Sequence, residues 1–169
     1  TPAAPRVSLS SVIGSVGQTV RVQVDNFPAG KRIAIYFDGS RKTTIVTASN
    51  GRARGSFVVP VVAGGSREIK ANGGGTFAIT SFTVVPELRL SPTSAAGGAS
   101  ITARLTGFPA NSTVKVRLYD LDGSTVVSVW STTAVSNGTG SLFLKTKLAT
   151  KPGSHVVKAV GSGGVSAQS

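Results

Sequence analysis

The sequence predicts an all-β protein built from two tandem β-sandwich domains. The apolar residues are mostly Val, Ile, Leu and Ala, and they are mixed with Ser, Thr and 21 glycines. This composition favours strands and turns over helices. The chain also repeats itself, because "VDNFPAGKRIAIYFDG" at 24–39 returns as "LTGFPANSTVKVRLYD" at 105–120. A repeated segment of alternating apolar residues indicates that the chain contains two copies of the same fold.

The two copies match position by position in their apolar residues. Every matched set has a period of two, which is typical of strands with one buried face. The matched sets are Val20, Val22 and Val24 with Ile101, Ala103 and Leu105, and Ile33, Ile35 and Phe37 with Val114, Val116 and Leu118.

Each copy is predicted to contain about seven short strands with a turn every 8 to 12 residues, a spacing typical of β-sandwiches. The Asn-Gly pairs that begin at Asn50 and Asn137 mark turns, since both residue types tolerate positive φ. We expect Phe27 and Phe108 to fill the edge of each core. In the first copy the strands are predicted near 7–11, 19–25, 32–37, 43–48, 54–60, 67–71 and 77–85.

The boundary between the copies is predicted at Val85, Pro86 and Glu87, which gives domains 1–86 and 87–169. This linker contains no Gly or Ser run, and Pro86 stiffens it. We therefore expect two domains in line, joined end to end with little hinge freedom.

The second copy lacks the counterpart of "FTVVP" at 82–86, so its last strand is expected to be incomplete. Three explanations stand: truncation of the chain, a further repeat in a longer protein, or completion by a donor strand such as "TPAAPRVSLSS" at 1–11. Pro2 and Pro5 make that donor a poor ladder strand. The sequence contains no Met, so we expect Thr1 to follow from processing or from a longer chain.

The net charge of +12 and the pI of about 11.3 predict attraction to polyanions such as nucleic acid, anionic cell-wall polymer or acidic glycan. A solvated surface with surplus charge is the alternative explanation. Aromatic residues for base stacking are scarce, which argues against nucleic acid. Trp130 alternates with Val126 and Ser128, on the face opposite Val127 and Val129, and is either a stacking platform for sugar or part of the core. Arg41-Lys42 and the pair Arg52 and Arg54 are expected on adjacent strand ends of the first domain, and Lys145 and Lys147, two residues apart, on one strand face. The candidate polyanion-binding residues are Arg41, Lys42, Arg52, Arg54, Lys145 and Lys147.

Few residues could carry catalysis, and the sequence predicts neither an enzyme nor a cofactor site. His155 is the single His, and the six acids suggest no facing pair. There is no Cys, which excludes disulfides and thiolate metal sites. Tyr119–Ser124, "YDLDGS", is predicted to be a hairpin turn rather than a calcium loop. Asn111 and Asn137 fit the glycosylation acceptor pattern.

Both copies, and so nearly the whole chain, resemble tandem bacterial immunoglobulin-like repeats of the IPT/TIG-like and surface-stalk type. The resemblance rests on Leu90-Ser91-Pro92, Gly97-Gly98, Gly107-Phe108-Pro109-Ala110 and Asn137-Gly138. It implies immunoglobulin-like sandwiches of about seven strands each and a non-enzymatic role as spacer, adhesion module or fibre building block.

Two hypotheses follow. The first is a secreted or cell-surface structural module that associates with itself or with other surface proteins. The second is an accessory module that binds carbohydrate or anionic polymer for a secreted enzyme. The sequence contains no apolar run long enough to span a membrane.

Overall fold

The computed structural model describes residues 3–147, 151–164 and 166–168, and within these it is all-β. One short 3₁₀ turn at Ser162–Gly164 is the only helical element of the described residues. Each strand predicted in the first copy overlaps an observed strand. The strands are β1 Arg6–Leu9, β2 Ile13–Gly14, β3 Thr19–Asp25, β4 Arg32–Phe37, β5 Ser40–Val46, β6 Ala53–Val58, β7 Gly65–Gly73, β8 Thr76–Val84, β9 Glu87–Ser91, β10 Ser100–Thr106, β11 Thr113–Tyr119, β12 Val126–Thr133, β13 Gly140–Lys145, β14 Val157–Gly161 and β15 Ser166–Gln168.

The first unit packs a three-stranded sheet, β1-β3-β6, against a five-stranded sheet, β2-β8-β7-β4-β5. Strand β2 pairs parallel with β8, so the first segment of the chain contributes to both sheets. Alternate residues of β3 and β4 are buried, including Val22 and Ile35. This two-sheet order, with a central antiparallel group in each sheet, is the arrangement of immunoglobulin-like sandwiches.

The second unit repeats this design with the sheets β13-β10-β9 and β12-β11-β14-β15. Its core contains Leu105, Phe108, Val116 and Ala159, all at most 1% exposed. Strand β15 has three residues, whereas β8, its counterpart in the first unit, has nine. The described part of the last strand of the second unit is therefore short, and the incompleteness of this strand stays a prediction.

The two motifs that define the repeat contact each other in both units. The N–H of Phe27 donates to the carbonyl of Gly51, and the N–H of Phe108 donates to the carbonyl of Gly138, each at 3.1 Å. Both phenylalanines are buried, as predicted. The Phe-Pro-Ala and Asn-Gly motifs recur together because they form one clasp at the edge of the core. The clasp is defined by Phe27 and Gly51 in the first unit, and by Phe108 and Gly138 in the second.

A buried hydroxyl supports the clasp in each unit. The hydroxyl of Thr47 donates to the carbonyl of Pro28 at 2.6 Å, and that of Ser112 donates to the carbonyl of Pro109 at 2.7 Å. Both hydroxyl residues are buried. A buried polar group is tolerated when it is hydrogen-bonded, so each hydroxyl fixes the turn that follows the Phe.

The chain divides into two compact units. The first consists of the described residues up to Pro60 with Ser66–Val84, and the second of Val61–Gly65 with the described residues from Val85 onward. Strand β8 ends at Val84 and β9 begins at Glu87, so two residues join them. The prediction that Glu87 belongs to the linker is wrong: Glu87 pairs with Thr106 in the sheet of the second unit.

Candidate functional site

Three of the six acids are each held by an arginine of the same unit. The ion pairs are Arg52 Nε to Asp25 Oδ1 at 2.8 Å, Arg67 Nη1 to Asp38 Oδ2 at 3.2 Å, and Arg89 Nε to Glu87 Oε1 at 3.0 Å. These acids are therefore neutralised locally. The other Lys and Arg side chains therefore carry the surplus positive charge. Their positions determine where an anion could bind.

Two further acids lie in the turn that joins β11 to β12. Asp122 accepts hydrogen bonds from the backbone N–H groups of Thr125 and Ser124 and from the Thr125 hydroxyl. These bonds, led by that of the Thr125 N–H, lower the pKa of Asp122. Asp120 accepts from the N–H of Leu121. The two carboxylates shape a hairpin turn, which is the predicted structure of this segment.

Arg41 and Lys42, which were predicted to bind polyanions, lie on β5 at the edge of the five-stranded sheet. Together with Arg32 they line a shallow groove of about 390 Å³. The groove is open, and the charges also protect an edge strand from pairing with another chain.

Arg52 and Arg54 were predicted to lie on strand ends adjacent to Arg41 and Lys42, and this placement is wrong. Arg54 is on β6, in the opposite sheet, and its Nε donates to Gln23 Oε1 at 2.9 Å. Arg52, just before β6, is paired with Asp25. Arg41 and Lys42 lie near the start of β5, whereas the connection to β6 leaves from the end of β5. Most of the length of β5 therefore separates Arg41 and Lys42 from the other two cations.

Lys145 and Lys147 are both exposed and lie at the end of β13. They line a shared groove of about 580 Å³ with Gly97, Gly98 and Thr146. Both lysines line this groove, but Lys147 lies beyond the end of the strand, so the two do not share one strand face as predicted. A role for these lysines in polyanion binding stays a prediction.

Trp130 packs against the core of the second unit and is half-buried. In the sheet it lies opposite Val116, an inward position. Val127 also packs against this core, because a register shift between Leu118 and Tyr119 breaks the simple alternation of β12. The sequence-based assignment of Val127 to the face opposite Trp130 is therefore wrong. The geometry favours the core interpretation of Trp130 over the sugar platform.

Three cations that the sequence did not indicate form a cluster on the outer face of the four-stranded sheet in the second unit. Lys115 and Arg117 alternate along β11 with the buried Val114 and Val116. Lys158 on β14 lies directly opposite Arg117. The alternation of Lys115 and Arg117 is visible in the sequence, but their approach to Lys158 depends on strand pairing across 41 positions of the chain.

His155 lies on the wall of a cavity of about 480 Å³ in the second unit. Its Nδ1 is 2.8 Å from the carbonyl oxygen of Tyr119, and its Nε2 is 2.7 Å from that of Lys151. Only the protonated ring can donate to both carbonyls. The bond to Lys151, then that to Tyr119, raises the pKa of His155, and the charge of Asp120 adds to the effect.

We expect His155 to make the second unit more stable at acidic than at alkaline pH. Because its folded pKa is raised, the stabilisation is fully present below the unfolded value of about 6.5 and is lost as pH rises through the folded value. Urea unfolding followed by the fluorescence of Trp130 should show a midpoint that falls from pH 5.5 to 8.5. The variant His155→Gln should lose this part of the pH dependence, and equal profiles for the two proteins would contradict the assignment.

Both predicted glycosylation positions lie in exposed turns. Asn111 has a positive φ of 54°. The side-chain oxygen of Asn137 accepts from the N–H and the hydroxyl of Thr139 at 3.2 and 2.7 Å. The exposure of both is compatible with modification, which stays a prediction.

Nothing in the described residues forms a group of three side chains that could hold a metal ion. Among the same residues, no helix is long and apolar enough to cross a membrane.

The repeated clasp and the two-sheet order of each unit define the chain as a tandem pair of immunoglobulin-like β-sandwich units. No protein-family model matches the chain. No curated protein matches it in sequence.

Several solved structures are similar to the chain over almost all of its length. A tetra-tandem repeat in the extending region of a large adhesion protein is 18% identical with a TM-score of 0.46, covering 98% of this chain and 48% of that one. Dimeric latent PorU from Porphyromonas gingivalis is 17% identical with a TM-score of 0.44, covering 99% and 20%. A putative membrane-anchored protein from Corynebacterium diphtheriae is 9% identical with a TM-score of 0.44, covering 98% and 58%. The chain thus spans less than two thirds of the length of each.

Proposed function

We propose that the chain is a non-enzymatic structural module of a bacterial surface assembly, of the IPT/TIG-like stalk type, that works outside the cell. The observation that carries the proposal is the repeated clasp, which gives each unit its own closed core while two residues join them. Repetition of one sandwich extends a protein without a new core. Such a module spaces or links other surface domains and associates with copies of itself or with other surface proteins.

Solution scattering of the purified chain tests the spacer role. A compact chain of 169 residues has a radius of gyration of about 15 Å. We expect a clearly larger value, because the function requires extension. A variant with a Gly-Ser linker inserted between Val85 and Pro86 is the matched control, and it should give a broader distribution of distances. A wild-type value near 15 Å would overturn the spacer role.

Association is tested on the same material by light scattering after size exclusion and by electron microscopy. Filaments or a concentration-dependent series of oligomers would support a building block of an assembly. A monodisperse particle at all concentrations would remove self-association and leave a spacer.

Polyanion binding is a second candidate function, and a specific observation favours it. Three acids are locally neutralised by Arg52, Arg67 and Arg89, so the net charge of +12 resides on the remaining Lys and Arg side chains, many of which are exposed. Such a surface attracts a linear polyanion through release of the counterions that the polymer carries. The module would then hold anionic cell-wall polymer or acidic glycan.

A further inference from the structure

We propose that the outer face of the four-stranded sheet in the second unit binds a linear polymer of linked phosphate groups. The site, called here the cationic triad, consists of Lys115, Arg117 and Lys158. The proposal rests on the polyanion-binding function above and assigns it to residues that the sequence did not indicate.

The three cations are close because of the sheet geometry. Arg117 and Lys158 are directly opposite each other on β11 and β14, which places their Cα atoms about 5 Å apart. Lys115 and Arg117 are two residues apart on one face, which places them about 7 Å apart. Lys115 is exposed, and the other two are half-exposed. All three side chains can therefore approach one or two adjacent anions.

The strand partners around the triad supply no compensating carboxylate. Arg117 faces Val129 on β12, Lys115 faces Ser131 on β12 and Val160 on β14, and Lys158 faces Gln168 on β15. Like charges directly opposite each other destabilise a sheet. An anion bound between Arg117 and Lys158 removes that repulsion, so binding is favoured beyond simple attraction.

The triad is a property of the second unit and not a requirement of the fold. In the first unit the position opposite Lys70 is Tyr36, and the position before it on the same face is Ala34. The Lys70 ammonium lies over the ring of Phe77, 4.8 Å from its centroid. At these three equivalent positions the first unit has one cation and the second has three, although the two share the same strand register. The other cations on this face of the first unit, Arg32 and Arg41, lie at different positions.

The chemistry of the triad favours phosphate. The planar guanidinium of Arg117 can bind two phosphate oxygens at once, and the lysines act as compact point charges. The ring of Tyr119 is covered by the Lys158 ammonium, 5.0 Å from its centroid, so it does not offer a free surface for a nucleobase. A flexible phosphate polymer without aromatic groups therefore fits this face better than single-stranded nucleic acid.

The test compares two variants of equal charge. The triad variant is Lys115→Gln, Arg117→Gln, Lys158→Gln. The control variant is Arg6→Gln, Arg21→Gln, Lys31→Gln, which changes three exposed cations of the first unit. Each lowers the formal net charge from +12 to +9. Binding of inorganic polyphosphate to the full chain is measured by titration calorimetry over a range of salt concentrations.

We expect the triad variant to lower the salt dependence of log K by about 2, since each lost phosphate contact contributes about 0.7. Its affinity should fall about 100-fold at about 0.1 M salt, whereas the control variant should change several-fold at most. Equal losses in the two variants would overturn the site and leave polyanion binding driven by net charge. Wild-type protein that does not bind at low salt would overturn the polyanion function itself.

Two further measurements complete the test. Tighter binding of single-stranded DNA, or of a glycan that carries only carboxylates, would overturn phosphate as the ligand class. If the triple substitution prevents folding, the exposed Lys115→Glu is used in its place. Reversal of this charge should weaken polyphosphate binding with an unchanged unfolding midpoint, and unchanged binding would overturn the site.

Discussion

Replacing Phe108 with Ala is expected to lower the free energy of unfolding of the second unit by about 3–5 kcal/mol. Phe108 is fully buried and is the only aromatic residue among the buried side chains that the structure describes in the core of this unit. Its loss leaves a cavity that Leu105 and Val114 cannot fill without moving their strands. An effect of this size is a large fraction of the stability of a small domain.

The measurement is urea unfolding of the full chain followed by the fluorescence of Trp130. This is the single Trp of the sequence and it packs against the same core, so it reports on the second unit. The matched control is Phe143→Ala, because Phe143 is 74% exposed and its truncation should change stability by about 0.5 kcal/mol or less. Similar effects of the two substitutions would contradict the assignment of Phe108 as the centre of the core.

Replacing Gly51 with Ala is expected to destabilise the first unit by about 2–5 kcal/mol. The φ of Gly51 is 72°, a left-handed conformation that costs an L-residue about 1–2 kcal/mol. An added Cβ would also collide with the carbonyl oxygen of Phe27. That atom belongs to the backbone of the clasp, so relief requires the turn to move, at a further cost of about 1–3 kcal/mol.

The variant Gly39→Ala distinguishes the conformational cost of a positive φ from the cost of the collision with the backbone. Gly39 has a φ of 75°, and an added Cβ there meets no atom within 4 Å. Its substitution should therefore cost only the conformational part, about 1–2 kcal/mol. Differential scanning calorimetry of the full chain measures both variants. If Gly51→Ala lowers the free energy of unfolding no more than Gly39→Ala does, the clasp is not a rigid feature of the fold.

Much of the fold could be predicted because alternation and turn residues are local signals. Val20, Val22 and Val24 are inward in any strand that buries one face, and the structure buries all three. Strand β2 has two residues, too few to show a period, and no signal indicated it. Glu87 was assigned to the linker because it lies at the boundary between the two copies, whereas strand pairing with Thr106 includes it in β9.

The candidate binding site was less predictable than the fold, because strand pairing decides which charged side chains lie close together. Arg41 and Arg54 are near each other in the sequence, yet β5 and β6 belong to opposite sheets. Lys115 and Lys158 are far apart in the sequence, yet β11 and β14 are neighbours. Proximity in the sequence therefore does not show which cations share one surface of the fold.

The sequence by itself determined the all-β class, the twofold repeat, the buried faces and the clasp residues, because each depends on side-chain period or on conformations that Gly and Asn adopt. Tertiary structure alone decided three things. It assigned β5 and β6 to opposite sheets, directed Trp130 toward the core opposite Val116, and placed Lys158 opposite Arg117. Those outcomes depend on pairing between distant strands, which local composition does not encode.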